Sequence, residues 1–352
     1  MREQTFTLNE RTVPLVPGQT ILEAAAAAGV RIPTLCHLRG TTPTGACRIC
    51  LVEVAGARSL VAACCTPAAP NMVVQTKSQR VVQARKLILE LLLASGEHDC
   101  LLCPSCGDCQ LQDLAFEYQV SPKRFDRPSE FRPIEVNPLI VRDFSRCILC
   151  GRCVQACNEV QVNRAISFGY RGKRSKIVAA GDLPLKTSEC VFCGECVQAC
   201  PTGALSEEKA RTTWRPWKER NRIRTTCPYC GVGCQQWLHM QDGKIVKVTG
   251  VRGAEPNKGR LCVKGRFGYD FIYSEERLKA PLIKENGEFR EASWDEALDL
   301  VASKFKEVIA ESGPDALAGV SCARSINEDS YNMQKLFRAV IGTNNIDHCA
   351  RT

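Results

Sequence analysis

The N-terminal stretch alternates apolar and polar positions. Thr5–Leu8 and Thr12–Val16 flank Asn9-Glu10-Arg11, which predicts two strands of a hairpin. Thr20-Ile-Leu-Glu23 has the spacing of a capping box and opens a helix through Ala28, with Gly29 as its stop. Leu51–Val54 and Met72–Thr76 alternate again as strands, and Val81–Leu93 is a strongly apolar helix. Much later, Ser293-Trp-Asp-Glu296 repeats the capping-box pattern before an amphipathic helix. Strands and helices are thus mixed in separate blocks, and the expected fold class is α+β multidomain. Pro122 to Pro138 contains four prolines and reads as a connector.

A length of 352 residues suits two to four domains, and a 44% hydrophobic fraction is enough for packed cores. No run approaches 18 uncharged apolar residues: Glu23 interrupts the alanine-rich segment and Glu90 interrupts Leu87–Leu93. A membrane span is therefore not expected. Met1-Arg-Glu-Gln-Thr-Phe has neither a basic-then-apolar signal pattern nor a twin arginine, which predicts a cytoplasmic protein. The net charge of +9 raises nucleic acid or an acidic partner. Six basic residues against one acidic residue in Arg211–Arg224 read as a solvated linker or a docking strip. No recognition module or base-stacking platform accompanies them, so nucleic acid is not an expected partner.

Cysteine changes the picture, at 23 of 352 residues. Twenty-one fall in five groups, leaving Cys322 and Cys349. Cys147-x2-Cys150-x2-Cys153-x3-Cys157 and Cys190-x2-Cys193-x2-Cys196-x3-Cys200 form an internal repeat, CILCGRCVQAC and CVFCGECVQAC. Such runs bind 4Fe–4S cubes, and in two-cluster proteins the fourth cysteine of each run ligates the other cube. The expected quartets are therefore Cys147, Cys150, Cys153 and Cys200, and Cys190, Cys193, Cys196 and Cys157. Pro201 follows the second run, whereas Asn158 stands at that place in the first. Structural zinc is the alternative for CxxC pairs, but two full runs are far more specific.

The other groups carry resemblances. Cys36, Cys47, Cys50 and Cys64 resemble the 2Fe–2S ferredoxin domains of NADH-linked oxidoreductases, implying a β-grasp fold over residues 1–78 in which the adjacent Cys65 is a buried spectator. The segment HDCLLCPSCGDCQLQD resembles the His(Cys)3 cluster domain of the same enzymes, within a helical domain at 79–125. There the order is His-x3-Cys-x2-Cys-x5-Cys; Cys100, Cys103 and Cys109 match, but Gly96 occupies the histidine position. The fourth ligand is then His98 or Cys106. Residues 139–209 resemble a bacterial 2×4Fe–4S ferredoxin domain. Cys227, Cys230, Cys234 and Cys262, followed by Lys264, resemble the opening 4Fe–4S domain of molybdenum or tungsten enzymes with a bis-molybdopterin guanine dinucleotide, at 220–280. Residues 281–352 would begin the α/β molybdopterin region. In that family the lysine relays electrons between cube and pterin, which implies a buried Lys264.

Segments 323–328 and 342–351 resemble the approach to the metal pocket in formate dehydrogenases. The whole chain resembles the N-terminal part of the catalytic subunit of cytosolic NAD-linked formate dehydrogenases. The resemblance implies one 2Fe–2S and four 4Fe–4S clusters. It also implies Mo or W in the full-length enzyme, formate and carbon dioxide as substrates, and two partners: a flavin/NAD-binding diaphorase-type subunit and a small iron–sulfur subunit. It further implies that the metal-ligating cysteine or selenocysteine would follow Thr352, so the chain alone would carry no catalytic residue and be inactive; His348 and Cys349 would be ordinary structural residues. Rivals are the large iron–sulfur subunit of an NADH:quinone oxidoreductase, against which the Cys147–Cys200 insertion argues, an iron-only hydrogenase, and a stand-alone electron-transfer adaptor.

Overall fold

A computed structural model describes residues 4–120, 124–126, 133–219 and 221–349. The proline-rich connector falls partly, and Arg220 and Thr352 wholly, outside the described residues. The chain divides into two compact units, Met1–Asn221 with Met240–Val246, and Arg222–His239 with Lys247–Thr352.

In the first unit, β1 (Thr5–Leu8) and β2 (Arg11–Pro14) pair antiparallel around Asn9 and Glu10, both at positive φ. β2 ends at Pro14, short of the expected Val16. The capping box of α1 (Ile21–Ala27) is complete: Thr20 Oγ1 accepts from Glu23 N at 3.3 Å, and Glu23 accepts from Thr20 N at 2.9 Å. β3 (Leu51–Val54), β4 (Val61–Ala62) and β5 (Val73–Gln75) complete a mixed sheet of order β2-β1-β5-β3-β4, in which β1 and β5 run parallel. Phe6, Leu8, Ile21, Val52 and Val74 form its core, and Cys50 and Cys64 are buried in that same cluster.

Ser78 caps α2 (Gln79–Ala94), whose Leu89 and Leu93 pack on Leu35 and Ile49 and on Leu111 and Leu114 of α3 (Gln110–Glu117). Arg85 is buried at this junction and donates to Leu51 O at 2.7 Å and to the Tyr118 hydroxyl at 2.9 Å. The helical block is therefore bonded into the first sheet rather than tethered to it.

The repeat in sequence is a repeat in structure. β6 (Ile134–Val136) and β7 (Ile140–Asp143) lead into the first cysteine run, and α4 (Arg152–Gln155) carries Cys153. β8 (Ile166–Gly169) and β9 (Lys176–Ala179) intervene, then α5 (Glu195–Ala199) carries Cys196, and β10 (Leu205–Glu207) returns beside β7. Leu149 and Phe192 have φ of 53° and 51°, and Gly151 and Gly194 have φ of 78° and 74°. Without a proline at 158, α4 runs on into a wider turn, Ala156–Val160, whereas α5 stops before Pro201. The short helix α6 (Glu208–Arg211) follows.

In the second part of the chain, β11 (Asn221–Thr226), β12 (Gln235–Gln241) and β13 (Lys244–Gly250) form a three-stranded sheet, followed by α7 (Val263–Phe267) and the hairpin β14 (Leu282–Glu285) and β15 (Glu288–Glu291). α8 (Trp294–Ser312) is capped by Ser293, which accepts from Glu296 N at 3.2 Å. The second half of that expected capping box is missing, because the Glu296 carboxylate pairs with Arg290 instead. β16 (Gly319–Cys322) and β17 (Ile346–Cys349) are parallel, with α9 (Asn327–Lys335) between them in sequence. Among the described residues, no helix is long and apolar enough to cross a membrane.

Candidate metal centres

Three loops bring four sulfurs together at the edge of the first core. Cys36, Cys50 and Cys64 are buried and Cys47 is half-buried. The Cys50 and Cys64 sulfurs are 3.4 Å apart, and Cys36 Sγ accepts from Cys47 N at 3.5 Å. Their thiols share protons unequally. Hydrogen bonds from Cys47 and Cys64 hold Cys36 well below the usual thiol range, and the bond to Cys64 brings Cys50 down to about 7. Cys47 and Cys64 are pushed up in return, each chiefly by its bond to Cys36. Cys65 is exposed at the rim, its sulfur 3.5 Å from Cys64, so the expected spectator lies on the outside rather than buried.

The second group lies on successive tight turns between α2 and α3. Cys103 is buried, while Cys100, Cys106 and Cys109 are half-buried. Burial raises the Cys100 thiol, and Cys103 and Cys106 raise it further. Cys109 is pushed up to about 12 by burial, with Cys103 and Cys200 among the lesser causes. The Cys109 sulfur sits 3.6 Å from Pro201 O, so this group lies against the turn that ends the second ferredoxin run. Burial works against the Arg146 guanidinium, but the neighbouring Cys103 and the Asp143 carboxylate, which accepts from Arg146 Nε at 2.8 Å, hold its pKa above the usual arginine value.

All eight cysteines of the repeated runs line one apolar cavity, together with Ile140, Phe144, Ile166 and Leu185. Leu149 N donates to Cys147 Sγ and Phe192 N to Cys190 Sγ, both at 3.4 Å, which is what the left-handed backbone at Leu149 and Phe192 achieves. Ala165 N donates to Cys157 Sγ at 3.3 Å. Burial pushes Cys150 up to about 12, and the charge that adds most is Cys200, ahead of Cys147. Cys190 is raised by burial, and the thiolate acting on it is Cys157. Cys153 is raised by burial and then by Cys150, Cys147 and Cys200. The structure thus brings the last cysteine of each run toward the other run.

In the second unit, Cys227 N donates to Cys234 O at 2.8 Å, closing the loop that carries Cys230. Cys227 is raised by burial and then by Cys262 and Cys230. Cys262, at the N-terminus of α7, is exposed. Gly265 lets α7 approach: a β-carbon there would meet the Cys227 sulfur at 3.3 Å. Lys264 is exposed, not buried; the fully buried cation of α7 is Arg266, which the sequence reading did not single out. Nothing in local sequence separates these two basic residues except the helical face each occupies. Cys322 and Cys349 stand opposite each other across the β16–β17 ladder, both exposed, and His348 is opposite Ser321. His239 is buried and bonded to Thr249 at 2.8 Å, an ordinary structural role.

The donor chemistry fits iron–sulfur clusters. Sulfurs crowd in apolar surroundings that disfavour several free thiolates, while backbone N–H groups point at them. A cationic cluster core relieves both effects. Among the described residues, no three of His, Cys, Asp and Glu close on a single-ion site.

Comparison with known proteins agrees module by module. Residues 2–79 match the 2Fe-2S iron-sulfur cluster binding domain, residues 85–124 the NADH-ubiquinone oxidoreductase-G iron-sulfur binding region, and residues 146–204 the 4Fe-4S dicluster domain. Residues 221–274 match the molybdopterin oxidoreductase Fe4S4 domain and residues 277–352 the molybdopterin oxidoreductase family. The chain is 38% identical over 348 residues to the NADPH-Fe(3+) oxidoreductase subunit alpha of Geobacter sulfurreducens, covering 99% of this chain and 40% of that protein. It is 37% identical to a G-type NADH-quinone oxidoreductase subunit of Rhizobium meliloti, over 98% of this chain and 40% of the relative. A Staphylococcus aureus protein provisionally named a formate dehydrogenase is 32% identical, over 98% of this chain and 39% of its own length. The chain therefore spans about 40% of the length of these relatives. The Rhizobium meliloti match runs through Cys147–Cys200, so that insertion does not exclude the quinone-oxidoreductase type, contrary to the sequence expectation. A chain of an NAD+-reducing [NiFe]-hydrogenase in its H2-reduced state superposes with a TM-score of 0.56 at 39% identity, covering 60% of this chain and 90% of that one. The chain thus joins iron–sulfur modules that include an NADH-ubiquinone oxidoreductase-G region to the opening domains of the molybdopterin oxidoreductase family.

Proposed function

We propose that this chain is the iron–sulfur conduit of a formate dehydrogenase, carrying electrons between a Mo- or W-pterin site and a flavin/NAD-binding partner, with a small iron–sulfur subunit beside it. The observation that carries the conduit is the set of eight cysteines around one apolar cavity, adjoined by the Cys100–Cys109 group through Pro201 and Cys200. The formate assignment rests on the segments at 323–328 and 342–351 and on the Staphylococcus aureus relative.

The proposed ligands are Cys36, Cys47, Cys50 and Cys64 for a 2Fe–2S centre. Four 4Fe–4S centres take Cys100, Cys103 and Cys109 with a fourth ligand; Cys147, Cys150, Cys153 and Cys200; Cys190, Cys193, Cys196 and Cys157; and Cys227, Cys230, Cys234 and Cys262. When bound, the clusters supply one-electron carriage and a pterin-bound metal supplies the two-electron oxidation of formate to carbon dioxide and a proton. The chain's own residues hold and insulate. Buried walls exclude water from the sulfurs, which strengthens local electrostatics. Backbone N–H groups of Leu149, Ala165 and Phe192 stabilise negative charge on the sulfurs they face. Arg146 places a cation beside Cys103. Lys264 follows Cys262 by two residues and is our candidate electron relay.

The Geobacter sulfurreducens relative favours a second reading, an NADPH-linked oxidoreductase with another electron acceptor. The test uses the assembled complex with its full-length subunit. Formate-dependent reduction of NAD+ or a viologen, together with pterin and Mo or W analysis, supports the first reading. NADPH-dependent acceptor reduction without any formate activity supports the second.

A further inference from the structure

We propose that Gln155 and Glu159 are positioning residues that clamp the 2Fe–2S loop onto the first ferredoxin run, and that Asn158, by letting α4 run on, brings Glu159 into reach. The inference rests on the iron–sulfur reading above and deepens it: the clamp fixes the separation over which the 2Fe–2S centre exchanges electrons with the repeat.

Both bonds fall on one residue. Thr42 lies in the loop between Cys36 and Cys47, and its N–H donates to Glu159 Oε2 at 2.7 Å. Its carbonyl accepts from Gln155 Nε2, also at 2.7 Å. A main-chain N–H and C=O held together fix the loop whatever side chain stands at 42. The bond to Glu159 is charge-assisted, the stronger kind. Gln155 is buried, so the protein around it holds its amide in place.

The two runs differ at this point. Where the first run has Asn158 and Glu159, the second has Pro201 and Thr202. Proline cannot continue a helix, and Cys200 is already extended, with ψ of 126°. Thr202 then turns back on its own module, its hydroxyl donating to Arg146 O at 3.1 Å. In the first run α4 passes instead into the wide turn Ala156–Val160, closed where Gln161 N donates to Ala156 O at 3.0 Å. That turn carries Glu159 past Gln155 to the same loop. Asn158 thus breaks the repeat where the repeat meets another module.

Beneath the clamp the contact is apolar. Ile148, which follows Cys147, packs on the core of Leu35 and Ile49 together with Cys47 and Cys109. Arg152 of α4 is buried and donates to Gln110 Oε1 at 2.7 Å. The inner end of the loop therefore rests on a dry floor, while Thr42 and Glu159 are exposed at its rim. Bonds at the rim set where the outer loop lies without being needed to fold the core.

The test uses the anaerobically reconstituted, fully reduced 352-residue chain. A paramagnetic centre speeds the relaxation of its neighbour by an amount that falls steeply with distance. The microwave power that half-saturates the 2Fe–2S resonance therefore reads its separation from the cubes, and in the wild type it should be raised by them. E159A, Q155A and N158P should keep the wild-type iron content and lose part of that enhancement. E159Q, whose amide oxygen still accepts from Thr42 N, should retain it. Unchanged saturation in E159A and Q155A at wild-type iron content overturns the proposal, as does a wild-type resonance that saturates like an isolated centre. Loss of the 2Fe–2S centre itself in both variants also overturns it, because the bonds would then fold the loop rather than place it. A chain that takes up no iron and sulfide defeats the iron–sulfur reading instead, a distinguishable result.

Discussion

The sulfur of Cys103 and the backbone of Gly203 are packed so closely that a β-carbon at Gly203 would stand 2.4 Å from that sulfur. Gly203 belongs to the turn after the second ferredoxin run, while Cys103 belongs to the helical block a hundred residues earlier. Pro201 O meets Cys109 Sγ in the same place, at 3.6 Å. One wall of the Cys100–Cys109 group is therefore built by the ferredoxin repeat, and a change in one module reaches the other through van der Waals contact.

Gly203→Ala should disturb the Cys100–Cys109 centre although it lies outside that group. A methyl group cannot fit without moving the sulfur or the turn, and overpacking of this kind costs about 1–3 kcal/mol. Iron content and paramagnetic resonance of the reconstituted variant would report it. The expected result is an altered or lost signal from this centre, with the 2Fe–2S signal unchanged. An unaltered set of cluster signals would refute the coupling.

Arg85 should be a principal stability determinant of the first unit. It is buried and ties α2 to β3 through Leu51 O and to the end of α3 through Tyr118. Arg85→Met removes both donors and leaves a buried acceptor unpaired, at about 1–3 kcal/mol per unsatisfied group. Tyr118→Phe removes only one partner and should cost less, about 1 kcal/mol. Denaturant unfolding of the three proteins checks the order.

Local signals were legible in sequence, and long-range ones were not. The Thr20–Glu23 box, the Leu51–Val54 strand and the paired turns of the cysteine repeat depend on neighbours within a few residues, and the structure shows each. The contact between Arg85 and Leu51 spans 34 residues and leaves no periodic trace. The Glu296 carboxylate satisfied the capping pattern but found Arg290, which the hairpin β14–β15 delivers. Sequence offers both His98 and Cys106, with His98 the first choice, because proximity along the chain says nothing about which way a ring turns. Lys264 and Arg266 differ by two positions on a short helix, enough to put one outside and the other inside.

Thr20→Ala should lower stability by about 1 kcal/mol, the usual cost of losing such a cap. Hydrogen bonds from the Thr20 backbone and hydroxyl hold the Glu23 carboxyl below its ordinary 4.5. A carboxyl lowered on folding contributes stability above its unfolded value and loses it as pH falls through the folded one. The difference between the wild-type and Thr20→Ala melting temperatures should therefore be full at pH 7 and shrink below about pH 4.5. A difference that is constant down to pH 3 would show that the bond from the Thr20 hydroxyl to the Glu23 carboxylate, at 2.9 Å, contributes nothing.

Crossed ligation in the repeat makes the sharpest demand. If Cys157 serves the centre of the Cys190 run, Cys157→Ser should resemble Cys190→Ser in its resonance spectrum and midpoint potential, and should differ from Cys147→Ser. Cys200→Ser should in turn resemble Cys147→Ser. The charges acting on the thiols motivate this pairing: Cys200 acts on Cys150 more strongly than Cys147 does, and Cys157 is the thiolate acting on Cys190. Serine is a poorer iron ligand of nearly the same size, so the exchange perturbs one corner of a cluster while leaving the cavity wall in place. Each variant should also keep the signal of the opposite centre, which serves as an internal control for folding. The opposite grouping, with Cys157→Ser matching Cys147→Ser, would mean that each run closes on its own cluster. The approach of Cys200 to the first run would then be packing alone.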